Sequence, residues 1–225
     1  CTYGAAGAFA TGIGSTDMGF ALRFGALYFR VPESIRVNVE GSFPDRVGVK
    51  DLILEITGKI GADGATYKSL EFTGGTISEM GMAGRMTCCN MAVEMGAKTG
   101  MVPPDRKTMK YLGRNDPPGP LPDEDADYSE WHDFDVSDLI PKVAVPHNVD
   151  NVVDVTDLEG THIDQVFIGS CTNGRYEDFL EAAAVLGDQS FAEGVRVILV
   201  PASRKEYLKC LRGGLIERFV EAGGL

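Results

Sequence analysis

Hydrophobic and polar positions change their spacing several times in the first half of the chain. Apolar residues at every second position predict a half-buried strand at 35–39. A stripe of apolar residues at helical spacing predicts a helix at 49–59, followed by a second strand at 69–73. Further helices are predicted at 17–27 and at 83–95, the latter ended by a glycine. This mixture of elements predicts an α/β fold.

The last third of the chain has a more regular pattern. A short, continuous apolar run predicts a buried strand at 165–169, and a helix follows at 175–186. A second buried strand is predicted at 195–200, with another helix from about Ser203. The order strand, helix, strand, helix predicts parallel strands joined by right-handed crossovers.

Residues 113–149 differ from both of these regions because they are rich in proline and acidic residues. Prolines interrupt helices and central strands, so this stretch is predicted to be a linker. A domain boundary is therefore expected here. One domain is expected to be completed by residues 1–33, a second to cover 34–112, and a third to start at 150–225.

The charge of the chain restricts its partners. Lysine and arginine number 21 against 33 acidic residues, which gives a net charge of −12. A surface of this sign repels nucleic acid and anionic membranes. No apolar run reaches the roughly 18 residues that a spanning helix needs. Neither a nucleic acid nor a membrane is therefore expected as a partner.

The five cysteines form no disulfide framework, since their number is odd and their spacing is irregular. Cys88 and Cys89 are adjacent within an apolar stretch and are predicted to be buried thiols. Reduced cysteines favour a cytoplasmic location. The three histidines are scattered, and no spacing marks them as metal ligands.

Cys171 lies at the point where a predicted strand gives way to a helix. Such a position, beyond the carboxyl end of a strand, is where α/β folds bind ligands. A helix N-terminus favours the thiolate, which is the form that binds soft metals and iron–sulfur clusters. A buried cysteine in a tight turn explains the same residues. On the residues alone this second interpretation is preferred, because one cysteine does not make a metal site.

The predicted helix at 83–95 carries few polar residues. Thr87, Asn90 and Glu94 are three and then four positions apart, so they share one face of a helix. A carboxylate on an otherwise apolar helix must contact water, a partner or a ligand. A solvent-facing surface and a ligand-binding surface both fit this pattern. The glycines near the start, such as Gly4 and Gly7, allow close approach to a ligand or another helix.

Three segments together resemble the aconitase superfamily, in its isopropylmalate dehydratase and homoaconitase branch. They are CTYGAAGAFATGIGSTD at 1–17, GMAGRMTCCNMAVEMGAKTGMVPPD at 81–105 and VFIGSCTNGRYEDF at 166–179. Residues 47–66 and 143–152 are similar to the same branch. The resemblance covers essentially the whole chain and makes the cluster interpretation of Cys171 the main one.

The resemblance implies a fold of aconitase-type αβα layered domains with mixed or parallel sheets. Residues 1–33 would then be the C-terminal part of the first domain, and 150–225 the start of the third. The family also implies a [4Fe–4S] cluster bound by three cysteines. Cys171 matches the first of these ligands, and the other two are expected in a Cys-x-x-Cys motif beyond residue 225. The chain is therefore expected to be an internal fragment.

The resemblance also implies roles for individual residues. Glu94 and Asn90 match catalytic positions of the family, and Thr2 is expected to face the substrate. Asn173 and Arg175 are assigned to substrate binding, and Asn173 is expected to donate to a cluster sulfur as well. Cys171 and Glu94 are accordingly expected to face one cleft.

The implied activity is that of a hydro-lyase. It isomerises a 2-hydroxy di- or tricarboxylic acid by dehydration and rehydration, foremost 3-isopropylmalate in leucine biosynthesis. Homoaconitase or a related 2-alkylmalate dehydratase is the alternative within the family. The implied partners are a small swivel-domain subunit and the hydroxy acid. A cluster-free RNA-binding protein or an inert α/β fragment is the alternative of another class, and the net charge of −12 argues against RNA.

Overall fold

A computed structural model describes residues 2–117, 119 and 121–224. Cys1, at the start of the first segment of the resemblance, and Pro118 and Pro120 of the predicted linker lie outside the described residues. The contacts within the chain divide it into two compact units, Cys1–Val153 and Asp154–Leu225. We call them unit 1 and unit 2.

Unit 1 contains both strands and helices. Its strands are β1 (Ser34–Glu40), β2 (Ser69–Thr73), β3 (Thr99–Met101), β4 (Glu130–Asp135), β5 (Lys142–Ala144) and β6 (Val152–Asp154), whose last residue already belongs to unit 2. Its α-helices are α1 (Ser15–Phe24), α2 (Val49–Ile60), α3 (Gly75–Glu79), α4 (Met82–Met91) and α5 (Arg106–Leu112). Two 3₁₀ helices cover Thr2–Ala6 and Ala92–Met95. The predicted strands at 35–39 and 69–73 and the helix at 49–59 are confirmed.

The central sheet of unit 1 has the strand order β3-β2-β1-β4, and every pair in it is parallel. Alternate residues of β1, among them Ile35 and Val37, point into the core and are fully buried. Phe72 of β2 lies on the same side, together with the apolar stripe of α2. α2 and α4 pack against each other over this core. The apolar residues at every second position of β1 and those at helical spacing in α2 are therefore buried in one common core.

The opposite face of the sheet is polar and aromatic. The Arg36 guanidinium lies 4.6 Å from the ring centre of Trp131 and 5.7 Å from that of Tyr128. Its Nε also donates to the Thr73 hydroxyl over 3.1 Å. The Tyr128 hydroxyl donates to Glu71 over 2.8 Å, and burial, with the neighbouring Glu71 carboxylate, raises the pKa of Tyr128 to about 12. Cation–π contacts and hydrogen bonds together thus connect β2, β1 and β4 across this face.

The segment 113–149 is not a linker throughout, because it contains β4 and β5. β4 pairs in parallel with β1, with Val37 opposite His132 and Val39 opposite Phe134. The prolines of this segment lie at 117–122, 141 and 146, so residues 123–140 contain none. The acidic residues of β4 suit an edge strand, whose outer side faces water. The prediction of a linker was based on the proline content and charge of the whole segment, and it therefore missed the proline-free strand within it.

The unit boundaries also differ from the expected ones. The division falls between Val153 and Asp154, four residues after the end of the predicted linker at 149. The 3₁₀ helix Thr2–Ala6, which was expected to belong with residues 1–33 in another domain, packs against α4 and β3 of unit 1. By contrast, α1 has no buried residue, and it ends at Gly25 in the left-handed conformation, φ 71°. The assignment of 1–33 to a separate domain of a longer protein stays a prediction.

A buried arginine connects three helices of unit 1. Arg85 of α4 is 1% exposed and donates to the carbonyl oxygens of Ser78 and Met80. Its Nη2 also lies 2.6 Å from a carboxylate oxygen of Asp105. Asp105 caps α5 by accepting from the Thr108 backbone N–H over 3.0 Å. Burial alone would raise the pKa of Asp105, but the bonds from Arg85 and Thr108 outweigh it and lower this pKa to about 2.

Unit 2 is a strand–helix repeat. Its elements are a 3₁₀ helix (Val155–Leu158), β7 (Gln165–Gly169), α6 (Ser170–Asn173), α7 (Tyr176–Leu186), β8 (Arg196–Val200), α8 (Arg204–Arg212) and α9 (Leu215–Glu221). β7 and β8 are parallel, as predicted. Phe179, Cys210 and Phe219 form its core. The helix expected from Ser203 starts at Arg204, with Ser203 as its N-cap, and Gly213 and Gly214 divide it from α9.

In neither unit do the described residues form a helix that is long and apolar enough to cross a membrane.

Candidate functional site

Cys171 lies in a tight turn at the carboxyl end of β7. Gly169 has φ +120°, and a Cβ there would lie 2.1 Å from the Val200 carbonyl oxygen at the end of β8. Ser170 also has a positive φ of 71°. A Cβ on Gly174 would lie 2.6 Å from the backbone nitrogen of Ala202. The turn is therefore packed against the carboxyl ends of both parallel strands, the edge where α/β folds bind ligands.

The thiol of Cys171 is exposed. The alternative interpretation, a buried cysteine in a tight turn, is therefore wrong, because the turn is tight but Cys171 is exposed. The Cys171 Sγ lies 3.9 Å from the Thr172 hydroxyl. An exposed thiol at this edge can be reached by a metal or a cluster.

Hydrogen bonds from the start of α7 hold this turn. The Arg175 guanidinium donates to the carbonyl oxygens of Thr172, over 2.7 Å, and Cys171, over 3.4 Å. Asp178 accepts from the Asn173 amide over 3.0 Å and from the Arg175 backbone N–H over 2.8 Å. Asn173 and Arg175, predicted to bind substrate, thus both bond within the turn. Their binding role stays a prediction. Sequence reasoning missed Asp178, although its place three residues after the N-cap is typical of a capping box.

The other described cysteines are unsuited to metal binding. Cys88, Cys89 and Cys210 are buried, which confirms the prediction for the adjacent pair. Burial raises the pKa of Cys88 to about 12 and holds that of Cys89 well above its usual range. Burial also raises the pKa of Cys210. Because iron binds the thiolate, an accessible cysteine suits it better than these three.

Asn90 and Glu94 lie on two different helical segments. α4 ends at Met91, and the 3₁₀ helix Ala92–Met95 then leads to Gly96 in the left-handed conformation, φ 78°. The prediction of one continuous helix at 83–95 is therefore wrong after Met91. A 3₁₀ helix has three residues per turn, so Glu94 departs from the face that α-helical spacing predicts. Asn90 is half-buried and Glu94 is exposed.

Thr2 is positioned by a close backbone contact. A Cβ on Gly4 would lie 1.7 Å from the Gly100 carbonyl oxygen of β3, so only glycine fits there. The Gly4 carbonyl also accepts from the Val102 N–H over 3.0 Å. The close approach expected of Gly4 is thus made to a strand. Thr2 itself is half-buried and belongs to unit 1, as do Asn90 and Glu94. Cys171, Asn173 and Arg175 belong to unit 2.

The donor chemistry of Cys171 fits one ligand of an iron–sulfur cluster. It has an accessible sulfur, on a turn held by hydrogen bonds, beside an amide side chain. No group of three or more His, Cys, Asp or Glu within the described ranges could hold a metal ion. The fit therefore extends to a single ligand, and any further thiolates must come from elsewhere.

The structure thus combines a parallel α/β fold with an exposed cysteine at the carboxyl edge of two strands. The chain belongs to the Aconitase family (aconitate hydratase), which it matches over residues 1–225.

Individual relatives are more specific. The chain is 65% identical over 228 residues to the 3-isopropylmalate dehydratase large subunit of Methanoregula boonei, and covers 55% of it. It is 54% identical to the 3-isopropylmalate dehydratase large subunit 1 of Archaeoglobus fulgidus, of which it covers 54%. A probable methanogen homoaconitase large subunit of Methanothermobacter thermautotrophicus is 56% identical, with 53% covered. All of this chain is aligned in each comparison. The chain thus spans about half the length of these relatives.

Among solved structures, holo aconitase X of Thermococcus kodakaraensis matches with a TM-score of 0.45 and 15% identity. That match covers 86% of this chain and 42% of the other.

Proposed function

We propose that this chain is part of the large subunit of a [4Fe–4S] hydro-lyase, a 3-isopropylmalate dehydratase of leucine biosynthesis. The observation that carries the proposal is the exposed Cys171 thiol at the carboxyl edge of two parallel strands. The 65% identity to the Methanoregula boonei large subunit supports the choice of reaction. A large subunit implies a small-subunit partner, and the cytoplasm suits a chain of reduced cysteines.

In this proposal Cys171 supplies one thiolate to the cluster. When bound, the cluster supplies a Lewis acid for the hydroxyl group of a 2-hydroxy acid. Glu94 holds the proton that accompanies the leaving hydroxyl, and Asn90, on the turn before it, orients the substrate by hydrogen bonding. Thr2, held by the contact of Gly4 with Gly100, faces the substrate. Asn173 and Arg175 belong to the substrate-binding set and keep the cysteine turn in place.

The proposal requires residues of the two units to act together. Glu94 and Asn90 belong to unit 1, and Cys171 belongs to unit 2. That Cys171 and Glu94 face one cleft therefore stays a prediction about the complete protein. In the apoprotein of the Glu94→Cys variant, thiol cross-linkers of graded length that join position 94 to the native Cys171 measure the separation of the two residues. Cross-linking only by linkers too long to span one cluster and one small acid contradicts a shared site.

Homoaconitase is the second candidate. The 56% identity to a probable methanogen homoaconitase large subunit favours it. Its substrate is also a 2-hydroxy acid, but in this substrate a chain that ends in a carboxylate replaces the isopropyl group. Specificity for one of these groups requires either an apolar or a cationic pocket.

The test uses the complete large subunit, reconstituted anaerobically with iron and sulfide and combined with its small subunit. We expect a visible absorption band, close to four iron atoms per chain and faster turnover of 3-isopropylmalate than of homocitrate, the corresponding 2-hydroxy acid. The reverse preference selects homoaconitase. Absence of iron together with retention of RNA at physiological salt would support the RNA-binding alternative instead.

Replacing Glu94 with glutamine is expected to leave the cluster bound and to slow turnover. Loss of a positioned proton carrier lowers kcat by about 100-fold or more. Iron content and steady-state kinetics of the reconstituted enzyme measure the two effects separately. Glu79→Gln is the matched control, because Glu79 is also an exposed glutamate of unit 1, with a side chain 91% exposed. Unchanged kcat in Glu94→Gln, or loss of its iron, removes Glu94 from the proposed mechanism.

The 225-residue chain by itself is expected to hold no stable cluster and to show no dehydratase activity. Its described residues offer Cys171 as the accessible thiol, whereas a cluster of this kind needs several thiolates. Anaerobic reconstitution followed by gel filtration and iron analysis measures the result. Near-stoichiometric loading with four irons, combined with turnover of a 2-hydroxy acid, would show that the proposed ligand set is wrong.

A further inference from the structure

Asp178 joins the two sides of the turn that carries Cys171. It lies on the first turn of α7 and is half-buried. One carboxylate oxygen accepts from the Asn173 side-chain amide over 3.0 Å. The other accepts from the Arg175 backbone N–H over 2.8 Å. A single carboxylate therefore fixes one residue inside α6 and one residue at the N-cap of α7.

Arg175 extends this connection to the cysteine itself. While Asp178 holds its backbone, the Arg175 guanidinium donates to the carbonyl oxygens of Thr172 and Cys171 over 2.7 and 3.4 Å. These carbonyls end the single helical turn of α6, where a cation is favourable. The hydrogen bonds thus run from Asp178 through Arg175 to the backbone of Cys171.

The turn has a conformation that needs such support. Ser170, directly before Cys171, has a positive φ of 71°, a backbone conformation that is unfavourable for a residue with a side chain. Gly169 before it has φ +120°. Without external bonds, a short segment of this kind can relax to other conformations that move the thiol.

We propose that Asp178 is a positioning residue for Cys171: through Asn173 and Arg175 it holds the thiol in the orientation that the cluster requires. The inference rests on the proposed function, since it assumes that Cys171 is a cluster ligand. A helix cap alone explains the bond to the Arg175 N–H, because a carboxylate at the third position commonly accepts from the N-cap. It does not explain the bond to the Asn173 side chain, which reaches back into the preceding turn.

The experiment measures how fast the reconstituted complete large subunit loses iron to a ferrous chelator under anaerobic conditions. The variants are Asp178→Asn, Asn173→Ala and the double variant, with Glu177→Gln as the matched control. Glu177 is an exposed carboxylate on the same first turn. It therefore contributes similarly to the helix dipole but makes none of the described bonds to the turn. Thermal unfolding of each apoprotein is measured in parallel.

We expect Asp178→Asn to lose iron about 10 to 100 times faster than the wild type, as for other residues that orient metal ligands. Glu177→Gln should lose iron at the wild-type rate. In the double variant the acceleration should be smaller than the product of the two single effects, because both changes break the bond between Asp178 and Asn173. Wild-type iron loss in Asp178→Asn overturns the inference. So does a double variant whose acceleration is the product of the two single effects.

If Asp178→Asn does not fold, Asp178→Glu takes its place in the same cycle, because glutamate at this position keeps the helix cap. Failure of the proposed function gives a different result. In that case the wild type binds no iron, or Cys171→Ser keeps its iron, whatever residue stands at position 178.

Discussion

Cys171→Ser in the complete large subunit is expected to abolish cluster binding and to reduce dehydratase activity to background. A serine hydroxyl is far less acidic than a thiol and is a poor ligand for iron in a cluster. Cys171 is exposed on a turn rather than packed in a core, so the substitution should leave the fold unchanged. Iron and sulfide content, visible absorption and circular dichroism after reconstitution give the three measurements.

Cys210→Ser is the informative control for this prediction. Cys210 belongs to the same unit but is fully buried beside Phe179 and Phe219. Its replacement buries a hydroxyl in an apolar core, so we expect lower stability with iron content retained. If Cys171→Ser kept a full cluster, or Cys210→Ser lost it without unfolding, the assignment of the ligand would be wrong.

Asp105→Asn is expected to destabilise unit 1 by about 3 kcal/mol, since it leaves the charge of Arg85 buried without its partner. Arg85 is 1% exposed at its side chain, whereas Asp105 is 38% exposed, which moderates the cost. Urea unfolding followed by tryptophan fluorescence measures the loss. Trp131 is the single tryptophan of the chain, and it lies on β4 of this unit. Asp45→Asn, at a carboxylate that is 97% exposed beside Arg46, should change stability little.

The same ion pair predicts a dependence of stability on pH. Asp105 has a pKa of about 2 in the folded chain, below its ordinary value of 3.8. The folded state therefore favours the carboxylate, and its stabilising effect is fully present above about pH 4 and lost as the pH falls towards 2. Unfolding free energies of the wild type and Asp105→Asn should converge across this interval. Parallel curves for the two proteins would contradict the assignment of this titration to Asp105.

Elements with a strong local pattern were predictable from the sequence. β2 and β7 have the predicted bounds, and α2 differs by one residue at its end. Each combines a clear pattern of apolar residues with a glycine at or next to one end. The position of Cys171 at the end of a strand also followed from the pattern. Its exposure did not, because an apolar strand followed by a short polar turn is compatible with either a buried or an accessible thiol.

The missed elements depend on partners that are distant in the chain. β4 is a strand because β1 supplies its hydrogen bonds and a core for Phe134, and its own composition is that of a loop. The helix at 83–95 changes to a 3₁₀ helix where Gly96 and Ala97 turn the chain back, with the Ala97 N–H donating to the Ala92 carbonyl. The role of Asp178 required knowledge of where the Asn173 side chain points. The conformational propensity of a short segment does not reveal such contacts with residues elsewhere in the chain.

The strand order β3-β2-β1-β4 has a consequence for the synthesis of the protein. Side chains that meet across β1 and β4, such as Asn38 and Asp133, are 95 residues apart in the chain. At roughly 5 to 20 residues per second, translation needs about 5 to 20 seconds to bridge such a gap. During that time β2 can already pair with one edge of β1, but the other edge of β1, where β4 will bind, stays unpaired. A strand in this condition is open to pairing with another nascent chain. Slow ribosomal passage through the acidic stretch before Glu130 would lengthen the exposure, so the yield of folded protein should depend on the codons of residues 113–129.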